Sequence, residues 1–161
     1  MSENLHRHDV KILEILQFDA TRSLESISEE IGVSLNTCWR RVRKLETDGV
    51  LERRVALVDN VKIGLPLTVF VSVRTDDHSK TWADRFTKAV ESVPEIVEFY
   101  RLAGDVDYIL KMMVGSVSDY DRVYQGLISK VSVSDVSASF AMEKLKFTTE
   151  LPVRQALKGG S

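Results

Sequence analysis

Residues Ser34-Leu35-Asn36-Thr37-Cys38-Trp39-Arg40-Arg41-Val42-Arg43-Lys44-Leu45 read as a capped helix with two unlike faces. The Ser34 hydroxyl can accept from a backbone N–H two or three residues on, as N-cap serines do. Cys38, Val42 and Leu45 then recur at the i, i+4, i+7 spacing of one buried stripe. Asn36, Thr37, Trp39, Arg40, Arg43 and Lys44 occupy the remaining arc, and their amide and guanidinium donors suit phosphate oxygens and purine edges. Arg41 falls on the flank, placed equally well for DNA or for an acid of a preceding helix. With Ser34 and Arg41, the outward residues make up the set expected to meet a double-stranded DNA groove.

A basic amphipathic helix taken alone is more often a solvated face than a binding surface. The residues before it reverse those odds. Ser23 can cap a short helix from Leu24 to Ile31, with Leu24, Ile27 and Ile31 apolar and Glu25, Glu29 and Glu30 acidic. Gly32 suits the positive φ that follows a helix end, and Val33 can plug the corner before Ser34. The pattern is helix, tight turn, helix. Upstream, Asp9 to Phe18 carries Val10, Ile12, Leu13, Ile15 and Leu16, with Asp9 in the first turn where it favours the helix dipole. This is the third, supporting helix. After Asp48-Gly49, the stretch Val50 to Val58 alternates as a strand, with Arg53 and Arg54 where a wing would pass the DNA backbone. The expected module over residues 1–60 is a winged helix-turn-helix.

Composition sets the bounds. At 161 residues, 43% hydrophobic and 29% charged, the chain has room for two small domains of an ordinary water-soluble kind. No apolar run approaches the ~20 residues of a membrane span, and Met1-Ser-Glu-Asn4 has no secretory character. One cysteine, Cys38, excludes an intrachain disulfide and fits a reducing cytoplasm. The net charge is −2, and residues 1–60 hold nine Lys/Arg against eleven Asp/Glu, so DNA binding requires a focused patch. Residues 35–48, with four basic and two acidic side chains, supply one.

Around Asp59 to Pro66 the character changes to turn chemistry, which places a domain boundary there. Leu67 to Thr75 then alternates, with Leu67, Val69, Val71 and Val73 on one face. A helix follows with Trp82, Phe86, Ala89, Val90 and Val93 inward, ended by Pro94. Strands at Ile96 to Ala103 and Asp107 to Val114 flank the turn at Gly104-Asp105 as a hairpin. Ser118 is the expected cap of a helix with Tyr120, Val123, Tyr124, Leu127 and Ile128 inward, and Val133 to Met142 returns as a strand. The order βαββαβ over 61–153 is the ferredoxin-like plan, with both helices on one face of a four-stranded antiparallel sheet. The fold class is α+β. Apolar residues stand on both sheet faces, Val97, Phe99, Tyr108, Leu110 and Met112 against Tyr100, Leu102, Ile109 and Met113, and an open apolar face generally seeks a second subunit. The tail, 154–161, ends in Lys-Gly-Gly-Ser and carries no pattern.

This order of modules resembles the Lrp/AsnC, or feast/famine, transcriptional regulators from about Leu5 to Val153. The resemblance rests on Leu5-x-x-x-Asp9-x-x-Ile12-Leu13, Ile31-Gly32-Val33-Ser34, Cys38-x-Arg40-Arg41-Val42-x-x-Leu45-Glu46-x-x-Gly49-Val50, Pro94-Glu95-Ile96, Gly104-Asp105-Val106-Asp107-Tyr108 and Lys146-x-Thr148-Thr149-x-Leu151-Pro152. Trp39 is bulkier than the residue usual at its position, and Val50-Leu51-Glu52-Arg53-Arg54 replaces the commoner Val-Ile-x-Gly-Tyr. The resemblance implies a DNA-binding N-terminal half and a C-terminal RAM domain that forms dimers and octamers and binds an amino acid. It also implies that the loop Gly104, Asp105, Asp107, with the adjoining Tyr108, helps to hold that effector, while Tyr100, Ser137 and Ser139 complete the site. A regulator of this kind reads a near-palindromic operator.

Other readings of these residues are plainer. Cys38 on the packed face is a small hydrophobe, and Trp39 suits core or subunit packing better than stacking on a sugar. Gly104 to Asp107 offers too few ligands for a cation. His6, His8 and His78 are scattered and read as solvated, with no metal-ligand spacing. No nucleophile elbow, phosphate-binding loop or dinucleotide fingerprint occurs, so neither catalysis nor a cofactor is expected. Two alternative functions remain: an architectural protein that coats DNA, and a metabolite-binding protein or enzyme on the ferredoxin-like domain.

Overall fold

A computed structural model describes residues 5–156 of the chain; the stretches Met1 to Asn4 and Leu157 to Ser161 lie outside the described residues. The elements are α1 (Arg7–Phe18), α2 (Leu24–Ile31), α3 (Leu35–Thr47), β1 (Leu67–Arg74), α4 (Lys80–Glu91), β2 (Ile96–Arg101), β3 (Tyr108–Val114), α5 (Val117–Ile128), β4 (Asp135–Phe140) and α6 (Val153–Ala156). They form two compact units, one running to Ala56 and resuming at Lys146, the other spanning Leu57–Leu145. The expected bounds 1–60, 61–153 and 154–161 differ from these units at the C-terminal end, where the last segment belongs with the first.

In the N-terminal unit the apolar stripes of α1, α2 and α3 close on one another. Ile12, Leu13 and Leu16 meet Ile27 and Ile31, and Cys38, Val42 and Leu45 complete the cluster. Each helix begins on a side-chain cap. Ser23 accepts from the Ser26 N–H at 3.2 Å and Ser34 from the Thr37 N–H at 3.3 Å. His6, exposed as expected, also caps α1: its ring accepts from the His8 N–H at 3.2 Å, and its own N–H donates to Asp9 at 2.9 Å. Gly32 ends α2 at φ 72°, ψ 41°, in the left-handed region that glycine enters without a Cβ penalty. That conformation makes the turn into α3.

Two expectations for this unit fail. Val50 to Val58 forms no strand: Leu51 folds back, its N–H donating to the Leu45 carbonyl at 3.0 Å, and residues 52–58 run exposed. A strand exists only through hydrogen bonds to a neighbour, and none of the described residues pairs with this segment. The tail, read as patternless, is ordered as far as α6. The Gln17 side chain accepts from the Leu151 N–H at 2.7 Å and donates to the Leu151 carbonyl at 3.2 Å. Arg154 grips the Glu14 carboxylate through two nitrogens, and Val153 packs on the helical core. Four residues are too few for a periodic signal.

The C-terminal unit is a four-stranded sheet in the order β2-β3-β1-β4, antiparallel at every pairing. One face carries Val69, Val71 and Val73 of β1 beside Tyr108, Leu110, Met112 and Val114 of β3, all buried under Trp82, Phe86, Ala89 and Val90 of α4 and Val123 and Leu127 of α5. Phe86, Phe99, Tyr108 and Trp82 form one aromatic cluster, with centroids 5.0–5.8 Å apart. α5 starts two residues earlier than expected, capped by Ser116 rather than Ser118, since the Ser116 hydroxyl accepts from the Asp119 N–H at 3.1 Å. A bulge between Ile96 and Glu98 breaks the alternation of β2 and leaves Val97 exposed rather than facing the helices. The opposite sheet face bears no helix of this unit. Phe70, Tyr100, Ile109 and Met113 stand there, around a Lys111–Glu98 ion pair at 2.6 Å.

Candidate nucleic-acid interface and effector loop

Helix α3 is fixed from behind and open in front. Behind, Arg41 donates to Asp9 of α1 at 3.0 Å, with side chains only 27% and 16% exposed, and its Nε is buried without a partner among the described residues. Asp9 uses its other oxygen on the α1 cap. Arg41 is therefore a strut between helices and leaves the outward set. Cys38 is fully buried, and burial pushes its thiol up, as befits an inert core residue. In front, Asn36, Trp39, Arg40, Arg43 and Lys44 are exposed. Arg40 makes no ion pair among the described residues. Arg43 reaches Glu46 at 3.4 Å and lies 5.9 Å from the centroid of the Trp39 ring. Lys44 pairs with Asp48 along the last turn, and Arg54 reaches Glu46 at 3.5 Å.

At the start of α3, the Ser34 hydroxyl also donates to Thr37 Oγ1 at 2.9 Å, so these two residues set the cap and keep only part of their capacity for a ligand. Trp39 is half exposed, which removes it from the core. Leu35, absent from the expected set, stands beside it at 45% exposure. The signal was there in the sequence: a leucine at the first helical position, where the Cys38-Val42-Leu45 stripe extends past the start of the helix and the side chain stays half exposed. The arrangement offers a helix N-terminus, an uncommitted guanidinium and an amide on one convex face, which suits an anion with readable edges.

The residues expected around an effector do not all come together within one chain. Gly104 and Asp105 are exposed at the tip of the β2–β3 hairpin, with Gly104 at φ 146°. Asp107 is engaged in the fold: its carboxylate accepts from the Thr75 N–H at 2.9 Å and lies 3.8 Å from the His78 ring. Tyr108 points into the aromatic core, 6% exposed, because it faces the helices in the alternation of β3. Tyr100 and the pair Ser137, Ser139 do share the open face, but on opposite edges of the sheet, β2 and β4. Three strand spacings separate those edges, about 14 Å. The Tyr100 hydroxyl donates to Glu98 at 3.2 Å.

Comparison with known proteins agrees with this architecture. The family model of the winged helix-turn-helix DNA-binding domain matches residues 5–52, and that of the Lrp/AsnC ligand binding domain matches residues 68–151. The chain is 53% identical to the glutamate uptake regulatory protein of Zymomonas mobilis, over 95% of this chain and 93% of that one. Among solved structures it resembles an AsnC family transcriptional regulator from Agrobacterium tumefaciens, at 49% identity and a TM-score of 0.90, covering 94% of this chain and 99% of that one. It also resembles the regulator NMB0573 of Neisseria meningitidis, solved as a complex with L-Met, at 29% identity and a TM-score of 0.88, covering 94% and 98%. A helix-turn-helix with an open basic face, joined to a βαββαβ unit and matched by the two models over most of its length, belongs to the Lrp/AsnC family of DNA-binding transcriptional regulators.

Proposed function

We propose that the protein reads a near-palindromic operator with α3 and adjusts its regulation to a small amino acid held by the C-terminal unit. The observation that carries the DNA half is the contrast on α3: Arg41 is anchored to Asp9 on the rear, while Arg40, without an acid partner among the described residues, projects from the front. Asn36 and Arg40 are the residues for base edges, and Arg43 and Lys44 serve phosphates. Titration of an operator with Arg40→Ala tests this. A bidentate contact to guanine costs about 1–3 kcal/mol at one base position, whereas a phosphate contact weakens all sequences alike and lowers the salt slope by about one. Undiminished affinity at every salt concentration would overturn the assignment.

The working unit is a dimer or a higher assembly, an octamer among them. Two apolar surfaces support this: the helix-free sheet face with Phe70, Tyr100, Ile109 and Met113, and the alternating segment with Val55, Leu57 and Val58 exposed. Two-fold pairing sets operator half-sites whole helical turns apart, on the order of 10 bp. The effector site lies at the Gly104-Asp105 tip and is completed by a neighbouring copy, because Tyr108 and Asp107 are used by the fold and Tyr100, Ser137 and Ser139 are spread across the sheet. The L-Met bound to the Neisseria relative supports an amino acid as the ligand. Calorimetry with a panel of amino acids, run beside light scattering, tests it: the effector produces heat and shifts assembly together, and an amino acid that binds with assembly and DNA affinity unchanged speaks against it. The chain acts as a regulator in the cytoplasm, not as an enzyme, in keeping with the names of its relatives.

A further inference from the structure

The front of α3 carries an apolar pair that the helix-turn-helix does not use. Leu35 and Trp39, one helical turn apart, are 45% and 49% exposed. With Leu24, Glu25 and Asn36 they line an open hollow against the start of α2. The core of the unit closes through Cys38, Val42 and Leu45 without them. A lone exposed leucine is ordinary, but two large apolar side chains beside an open guanidinium call for an occupant. The charges around the hollow say which. Arg40, without an acid among the described residues, favours an anionic partner, and Arg43, which also reaches Glu46, lies over the Trp39 ring at 5.9 Å, where a cation–π contact holds the indole in place. Glu25 at the rim repels phosphate, so the hollow suits the interior of a groove rather than its backbone wall. Inside the major groove, the apolar feature that a base presents is the thymine C5-methyl group.

We propose that Leu35 and Trp39 form a reader of thymine methyl groups, so that the operator is selected by apolar contact at thymines as well as by hydrogen bonds from Asn36 and Arg40. This rests on the assignment of α3 as the DNA-reading helix. The full-length protein first enriches duplexes from random-sequence DNA. The enriched duplex is then remade with deoxyuridine in place of each thymidine in turn. The exchange removes the C5-methyl and leaves the O4 acceptor and base pairing intact. At one or two positions in each half-site, wild-type affinity falls about fourfold per methyl. Leu35→Ala and Trp39→Ala bind the thymine and uracil duplexes equally, whereas Trp39→Phe, which keeps an apolar ring, retains the ratio. Arg40→Ala is weaker on both duplexes yet keeps the wild-type ratio. Since both apolar side chains are exposed, the alanine variants keep the wild-type melting temperature. A wild-type protein indifferent to every thymine methyl, or a ratio that survives in both alanine variants, overturns the proposal and leaves α3 as the DNA helix. Failure to enrich any duplex removes the DNA reading itself.

Discussion

Replacing Asp9 or Arg41 by alanine separates what holds the helix-turn-helix together from what touches DNA. Asp9 takes the Arg41 guanidinium at 3.0 Å on one oxygen and the His6 N–H at 2.9 Å on the other. Two unit charges at such range attract by about 4 kcal/mol at an effective dielectric of 20. Partial desolvation of both groups offsets much of this, leaving roughly 1–2 kcal/mol, above the usual yield of a fully exposed pair. The cap hydrogen bond adds about 1 kcal/mol. Arg41→Ala should therefore cost ~1–2 kcal/mol and Asp9→Ala ~2–3 kcal/mol, with a coupling of ~1–2 kcal/mol in the double-mutant cycle. Because two units can unfold separately, the reporter must belong to one of them. The chain has two tryptophans, and in a Trp82→Phe background Trp39 alone follows the N-terminal unit through urea unfolding. Operator titration completes the test: folded Arg41→Ala keeps its affinity where Arg40→Ala loses it. A coupling near zero, or an affinity loss in Arg41→Ala equal to that in Arg40→Ala, refutes the strut.

Four further outcomes follow from the geometry. Gly32→Ala meets no atom within 4 Å but must hold φ 72°, so it costs about 1–2 kcal/mol by backbone strain alone, and Gly32→Asn recovers part of that on thermal unfolding; an alanine variant as stable as wild type contradicts the cap. The Lys111 hydrogen bond to Glu98 holds its carboxyl below the usual glutamate range. A depressed carboxylate stabilises above its unfolded value and loses that contribution as the pH falls through its folded one. The stability gap between wild type and Glu98→Gln, present at pH 7, thus closes below about pH 4.3, and a gap independent of pH argues against the pair. Asp107→Ala leaves the Thr75 N–H without its acceptor and costs about 1–3 kcal/mol in denaturant. Asp105→Ala leaves stability unchanged and weakens the amino acid response in calorimetry; the reverse pattern moves the effector site away from the hairpin tip.

Much of the fold was legible because each element carries its own period. Cys38, Val42 and Leu45 are buried where a 3.6-residue repeat puts them, and Val69, Val71 and Val73 where a two-residue repeat does. Gly32 and Ser34 mark their turn by local chemistry that no distant residue has to supply. What stayed hidden depends on partners far away in sequence. Arg41 stood evenly between DNA and an acid of a preceding helix, and only the fold picks Asp9, 32 positions away; the alternation of Val50 to Val58 states a capacity for pairing without a neighbour to pair with. Tyr108 was grouped with the loop by adjacency in sequence, yet the strand alternation turns its ring under α4 and away from Asp107. Leu35 was passed over because its spacing continues the apolar stripe, and spacing alone does not say that the first helical residue stays half exposed.

The grip of Gln17 on Leu151 has a consequence for the order in which the molecule is made. The two residues are 134 positions apart, so a ribosome finishes α1 to α3 long before their last support is synthesised. At about 5–20 residues per second the delay is on the order of 10 s. During that interval the nascent helix-turn-helix lacks the Gln17 and Glu14 contacts, and every strand of the C-terminal sheet has left the ribosome before they form. A message cut short between Thr47 and Leu151 yields the three helices without their clasp. In the same way, a fusion appended after α6 is attached, in space, to the helix-turn-helix unit rather than to the sheet that precedes it in sequence.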